Sequence, residues 1–159
     1  MSNYVSVNVT GIRLEEETDT PIMLLHDPIS DRFLPIWIGT IEAVSIAYAQ
    51  EGYIHPRPQT HDLLVSIIES LNAKLTEVCI TDVLDKTYYA ELKLNSNDGL
   101  ITLSCRPSDA IALALRSDAT ISVNDKLFLE NSILIFDNEN IEIEEFNRFI
   151  DNITPEDFF

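Results

Sequence analysis

Residues 4–14 alternate Val5, Val7 and Val9 with polar neighbours, the period-two pattern of a half-buried strand. A polar run at 15–20 ends at Pro21 and reads as a hairpin loop; 22–26 and 32–38 read as the next two strands, turning at Asp27-Pro28. The period then changes. Ile41, Val44 and Tyr48 fall on one face of a helix predicted over 40–51, with Thr40 as its N-cap and Gly52 at its C-terminal left-handed position. Tyr53 opens a loop with prolines at 56 and 58, after which Thr60 caps a second helix over 61–71, striped by Leu64, Ile67, Ile68 and Leu71. Three strands follow at 74–84, 87–94 and 100–106, with turns at Asp85-Lys86 and 95–99. A third helix runs over 107–116, where Pro107 suits the first turn because its missing N–H has no helical partner there. Short strands at 121–123 and 133–136 precede an acidic tail with a helix over 143–151 carrying Phe146, Phe149 and Ile150.

The order of elements predicts an α+β fold: helices packed on a mixed, mainly antiparallel sheet, because three-strand units with short turns leave no crossover for parallel neighbours. It also suggests an internal duplication of a three-strand-plus-helix unit. Val7 to Ile12 resembles Val78 to Val83, and Glu42-Ala43-Val44 aligns with Asp109-Ala110-Ile111. The domain is expected over 1–130, with 131–159 as an acidic C-terminal extension.

Composition narrows the classes. The 159 residues carry a formal charge of −17, which opposes nonspecific contact with a polyanion. No apolar run spans a bilayer, and residues 1–9 lack the regions of a signal peptide, so no membrane partner is expected. Cys79 and Cys105 are spaced for neither a metal nor a disulfide framework. As buried free thiols they fit the reducing cytoplasm.

Against that acidic background, two segments concentrate base. PRPQTHDLL at 56–64 and SCRPSDAIALALR at 104–116 each set an arginine and a proline ahead of a helix start, where unpartnered N–H groups can hold an anion. Phosphodiester hydrolysis needs an activated water, a neutralised phosphate and a protonated leaving oxygen. Glu42, Asp62 and Asp109 are the candidate ligands for a divalent metal such as Mg or Mn. His61, with those carboxylates, is the candidate acid or base. Arg57 and Arg106 form the candidate phosphate clamp, and Thr60 and Ser108 lie beside them as substrate contacts.

Each residue also has a structural reading. The arginines can pair with Glu42, Asp62 or Asp109, Asp109 can cap its helix, and Asp62 can offset the helix dipole. Ser108 has no Gly-x-Ser-x-Gly context to make it a nucleophile. Trp37 reads as core or interface, and Gly39 as a backbone angle before the helix. Under the structural reading the chain is a non-enzymatic interaction module, its motifs serving the fold.

LPIWIGTIEA at 34–43, RPQTHDLL at 57–64 and RPSDAIALALR at 106–116, in this order, resemble the bifunctional nuclease family. The resemblance spans 4–129 and, loosely, the Pro155 to Phe158 end of the tail. It implies a compact α+β fold, activity on DNA and RNA, and a homodimer or larger homo-oligomer. Ser104 and Cys105 stand where members of the family often carry an aspartate and a small residue.

Overall fold

The computed structural model describes residues 3–135. It is α+β, as the pattern predicts, with the strands divided between two sheets. Strands β2 (Asn8–Leu14), β3 (Pro21–Asp27) and β4 (Arg32–Trp37) form an antiparallel sheet in that order. The second sheet has the order β1-β8-β5-β6-β7, built from β1 (Tyr4–Ser6), β5 (Lys74–Leu84), β6 (Thr87–Ser96), β7 (Gly99–Cys105) and β8 (Thr120–Asn124). Only the β5–β8 pair is parallel. Its crossover carries helix α3 (Pro107–Ser117); α1 (Thr40–Gln50), α2 (Thr60–Ser70) and α4 (Asp125–Asn131) complete the set.

Both units predicted from the repeat are antiparallel three-strand meanders followed by a helix: β2-β3-β4-α1 and β5-β6-β7-α3. Helix α3 lies on β5 and β6, α1 packs against α3 and β3, and α2 leans on α3. Ala43 on α1 and Ala110, Ala112 and Ala114 on α3 are all fully buried. Side chains this small let helix axes approach closely, and α3, buried almost all round, is an interior helix. Met23, Leu25, Leu34, Ile46, Val78, Ile80 and Ile111 form the centre of one continuous core.

Turn chemistry follows the sequence closely. Asp85 and Lys86 both have positive φ, as a two-residue hairpin requires. Gly52 (φ +68) ends α1: its N–H donates to Ala49 and that of Tyr53 to Tyr48, a Schellman pair. Asn72 ends α2 in the same way, with Asn72 bonded to Glu69 and Ala73 to Ile68.

Several expectations are corrected. The single strand expected over 4–14 is two strands, one in each sheet. The break falls at Val7, which is buried and whose N–H donates to Ile121 O at 3.0 Å, so the chain crosses between sheets there. Helix N-caps fall one residue earlier than expected, at Gly39 and Gln59, both with extended backbone, rather than at Thr40 and Thr60. The buried stripe of α2 is His61, Val65 and Ile68, spaced i, i+4, i+7. Leu64, Ile67 and Leu71, expected in the core, are exposed. Trp37 is also exposed, its indole N–H donating to Glu15 at 3.1 Å, because Ile36 takes the inward position of β4. The expected strand at 133–136 reduces, within the described residues, to a bridge between Ile133 and Phe33. Before it stands α4, which the pattern reading missed. Asn124 caps it by accepting from the N–H of Leu127, and Leu127 and Phe128 anchor it in the core. The helix expected over 143–151 lies outside the described residues.

A polar network linking three helices

The motif segments meet. Arg106 has extended backbone before Pro107 and is the N-cap residue of α3. This turns its side chain back over the first turn, where Asp109 waits three residues on. The guanidinium grips Asp109 by two bonds, Nε to Oδ2 at 2.8 Å and Nη2 to Oδ1 at 3.1 Å. It reaches Glu42 on α1 by a third, Nη1 to Oε1 at 3.0 Å. A planar fork matched to carboxylates is what arginine provides and lysine does not. Glu42 and Asp109, aligned by the repeat, thus share one guanidinium. Gly39 is explained by the same contact. Its φ is an ordinary −76°, correcting the expectation of an unusual angle, but a Cβ there would strike Glu42 Oε2.

Asp109 also meets α2. His61 Nε2 lies 2.9 Å from Asp109 Oδ1, and Nδ1 lies 2.7 Å from Ser45 Oγ on α1. Arg116 Nη2 donates to Ser45 Oγ at 3.1 Å; in the neutral imidazole, the acceptor-only Asp109 carboxylate assigns the ring proton to Nε2 and leaves Nδ1 to accept from the Ser45 hydroxyl. Arg116 closes the chain of contacts. Its Nε donates to Asp62 Oδ1 at 2.7 Å, Nη1 to the Ala112 carbonyl at 2.9 Å and Nη2 to the Ser45 carbonyl at 3.1 Å. Asp62 Oδ2 in turn accepts from the N–H of Gln59 at 2.9 Å, the acidic half of a capping box at the start of α2. The network therefore runs Glu42–Arg106–Asp109–His61–Ser45–Arg116–Asp62 and ties α1, α2 and α3 together.

Burial works against the charge of Asp62 and is outweighed by the hydrogen bonds from Arg116 and Gln59, so its carboxyl sits below the usual range. Asp109 behaves alike: burial raises it, and the bonds from Arg106 and His61 hold it low. The hydrogen bonds and charge of Asp109, then Glu42, push Arg106 above the usual arginine value. Three carboxylates face two guanidiniums, an excess of one negative charge when His61 is neutral. Exposure differs sharply between the two arginines: the Arg106 side chain is 63% exposed and that of Arg116 10%.

The other predicted residues fall outside this network. Arg57 is exposed and has no side-chain ion pair or hydrogen bond among the described residues; only its carbonyl accepts, from Gln59. Thr60 is exposed at the start of α2. Ser108 is buried within the first turn of α3. Cys105, just ahead of the motif, has its thiol pushed up to about 11 by burial and then by Asp109 and Glu91. It stays protonated at neutral pH and is no nucleophile. Sequence reasoning gave no role to Arg116, although it closes the third motif, nor to Ser45, a lone serine in an apolar helix with no pattern around it.

As arranged, the carboxylates do not form a metal cage. Among the described residues no group of three or more His, Cys, Asp or Glu side chains could hold a metal ion. Glu42 and Asp109 are engaged by Arg106, and Asp62 by Arg116. The order Ser45–His61–Asp109 has the connectivity of a nucleophile, base and orienting acid. Yet Ser45 sits mid-helix in α1, where backbone N–H groups are consumed by helical bonds and offer no oxyanion hole. Its hydroxyl is a bridge.

Beside the Asp62–Arg116 end opens a groove of about 440 Å³. Tyr53, Ile54, His55 and Pro58 line it, with Asp62 and Arg116 as polar members. His55 packs edge-on against Tyr48 and Tyr53, with ring centroids 4.8 Å apart in each case.

A family model described as the bifunctional nuclease domain matches residues 23–135. An uncharacterized protein of Mycobacterium tuberculosis is 40% identical over 161 residues, covering 96% of both chains. Bifunctional nuclease 1 of rice (Oryza sativa subsp. japonica) is 27% identical over 117 residues, 72% of this chain and 35% of that one. Bifunctional nuclease 2 of Arabidopsis thaliana is 25% identical over 119 residues, 73% of this chain and 36% of its own length. The family match runs from within β3 through α4 and takes in all three helices of the polar network, and the chain belongs to the bifunctional nuclease domain family.

Proposed function

We propose that the protein hydrolyses phosphodiester bonds of DNA and RNA at the Arg106 end of the network. The observation that carries the reading is one guanidinium, solvent-exposed yet held by Glu42 and Asp109 in a fixed orientation, with the 57–64 segment joined to it through His61 on Asp109. Two of its five N–H groups are left to meet a phosphate oxygen. Asp109, the solvent-reachable partner, takes the proton of the attacking water. His61, whose two nitrogens are both engaged and whose side chain is buried, orients Asp109, and the proton taken up by Asp109 passes to the leaving oxygen as the P–O bond breaks. The groove is a separate surface at the Asp62–Arg116 end: Tyr53 and His55 line it as a place for a base to stack, and exposed Arg57 supplies charge for backbone phosphate.

Dependence on a divalent cation such as Mg or Mn belongs to the proposal on charge alone. The network carries one excess negative charge within a chain of −17, and a polyanion approaches only after that field is neutralised. The protein acts in the cytoplasm in this reading. Both cysteines are free thiols, fitting a reducing compartment, and among the described residues no helix is long and apolar enough to cross a membrane. The chain also associates with itself.

A second reading has its own observation: each network carboxylate is satisfied by an arginine. On that reading the network is a tie between helices in a non-enzymatic interaction module. Cleavage of single-stranded DNA and RNA by the wild type and by Asp109→Asn, with and without chelator, decides between them, with a thermal melt on each sample. The nuclease reading expects chelator-sensitive cleavage that Asp109→Asn abolishes while the fold persists. Undiminished cleavage by a folded Asp109→Asn, or none by the wild type with either cation, leaves the module reading.

A further inference from the structure

Sheet edges present unpaired N–H and C=O groups, and proteins blunt them with short length, bulges, proline, charge or cover. Three of the four edges here are managed. β1 has three residues. β2 carries Arg13 and a bulge between Val9 and Gly11, and the side chain of Gln50 donates to the Val9 carbonyl. β4 contains Pro35 and Arg32, and both backbone groups of Phe33 are taken by Ile133 at 2.8 Å.

Among the described residues the fourth edge, β7, has none of these devices. Its seven residues, Gly-Leu-Ile-Thr-Leu-Ser-Cys, include no charge and no proline, in a chain that is 23% charged. Pairing with β6 runs without a bulge from Gly99 to Cys105. Leu100 is 79% exposed, Ile101 42% and Leu103 47%. Ile101 and Leu103 sit opposite Leu94 and Leu92 in the register, on the inward face of the sheet, yet remain half open while Leu94 and Leu92 are buried. A long, flat, neutral, apolar edge either aggregates or has a partner.

We propose that β7 is the self-association surface: two copies pair their β7 strands antiparallel across a twofold axis, joining the five-stranded sheets into one of ten strands. The inference rests on the self-association included above and not on the catalytic reading. The partner is a second copy because of charge. Two bodies of −17 each repel except where neither presents charge, and β7 is a seven-residue strand without any. The pairing is also self-complementary. Centred on Thr102, it sets Ile101 of each copy against Leu103 of the other on one face, and Thr102 against Thr102 on the opposite face, satisfying the open backbone groups of both edges.

Light scattering at micromolar concentration tests this on the full chain in low and high salt. The wild type is expected to be a dimer, tighter in high salt as repulsion is screened. Ile101→Lys and Leu103→Lys, at half-exposed positions, should be monomers with circular dichroism spectra like the wild type. Thr102→Cys should form a reducible covalent dimer on oxidation, since facing residues of an antiparallel pair lie within disulfide reach. A wild type that is monomeric in both salts overturns self-association and this surface together. A wild-type dimer that survives both lysine substitutions, or that Ile67→Lys on the exposed face of α2 dissolves instead, leaves self-association standing and overturns β7 as its surface.

Discussion

At the scale of single residues, the two network arginines are unequal. Arg116 makes four hydrogen bonds and is nearly buried. Truncating it strands Asp62 and leaves two carbonyls short of a donor, so Arg116→Ala should cost about 3 kcal/mol in a denaturant melt, at the low end for a broken buried pair. Arg106 is mostly exposed, and water can replace it around Glu42 and Asp109. Arg106→Ala should therefore cost only about 1 kcal/mol after solvent screening. Equal losses would contradict the difference in burial between the two arginines. The carboxylates predict a pH dependence as well. Asp62 and Asp109 have folded-state pKa values below their unfolded ones. Their stabilisation is therefore complete above the unfolded value of about 3.9 and is lost as pH falls through the lower folded values. Asp109→Asn should flatten the dependence of melting temperature on pH below about 4. The candidate site was half legible at this scale. Arg106, Asp109, Glu42, His61 and Asp62 stood out because base is scarce and the motifs lie at helix starts. Arg57 shared the same local signal but makes no side-chain bond to the network among the described residues. Ser45 and Arg116 carried no local signal, because their roles come from helices that meet only in the folded chain.

At the scale of elements, periodicity located all three long helices and most strands, since each buries one face. It missed where burial is not one-sided. The apolar residues of α2 extend well past its buried stripe of His61, Val65 and Ile68, and a polar histidine in that stripe is invisible to a hydrophobic template. The break at Val7 was missed because both flanking strands keep the same alternation while belonging to different sheets. Two glycines separate two kinds of constraint. Gly52 has φ +68 with open space where a Cβ would be, so Gly52→Ala should lower stability by about 1 kcal/mol through backbone strain alone. Gly39 has a relaxed backbone but no room beside the Glu42 carboxylate. Gly39→Ala should displace Glu42 from Arg106 and reduce cleavage more than it reduces the melting temperature. Parallel melts and cleavage assays on the pair check both outcomes.

At the scale of the molecule, two strand-strand-strand-helix units place their helices side by side, and the acidic residue near the start of each helix ends on the same arginine. The repeat in the sequence pointed to this equivalence; the shared guanidinium could not be read from it, because it needs the packing of α1 on α3. The central claim is that this shared arginine is a phosphate-contacting group in a hydrolytic centre as well as a tie between helices. The most direct measurement is the cleavage rate of Arg106→Lys on single-stranded RNA and DNA, taken beside its thermal melt. Lysine keeps the charge and an ion pair with Glu42 or Asp109 but loses the fork. A melting temperature close to wild type with cleavage reduced roughly tenfold or more, about 1.4 kcal/mol in the barrier, is the predicted result. Unchanged cleavage by Arg106→Lys, or a loss of cleavage that merely follows a loss of stability, would contradict it.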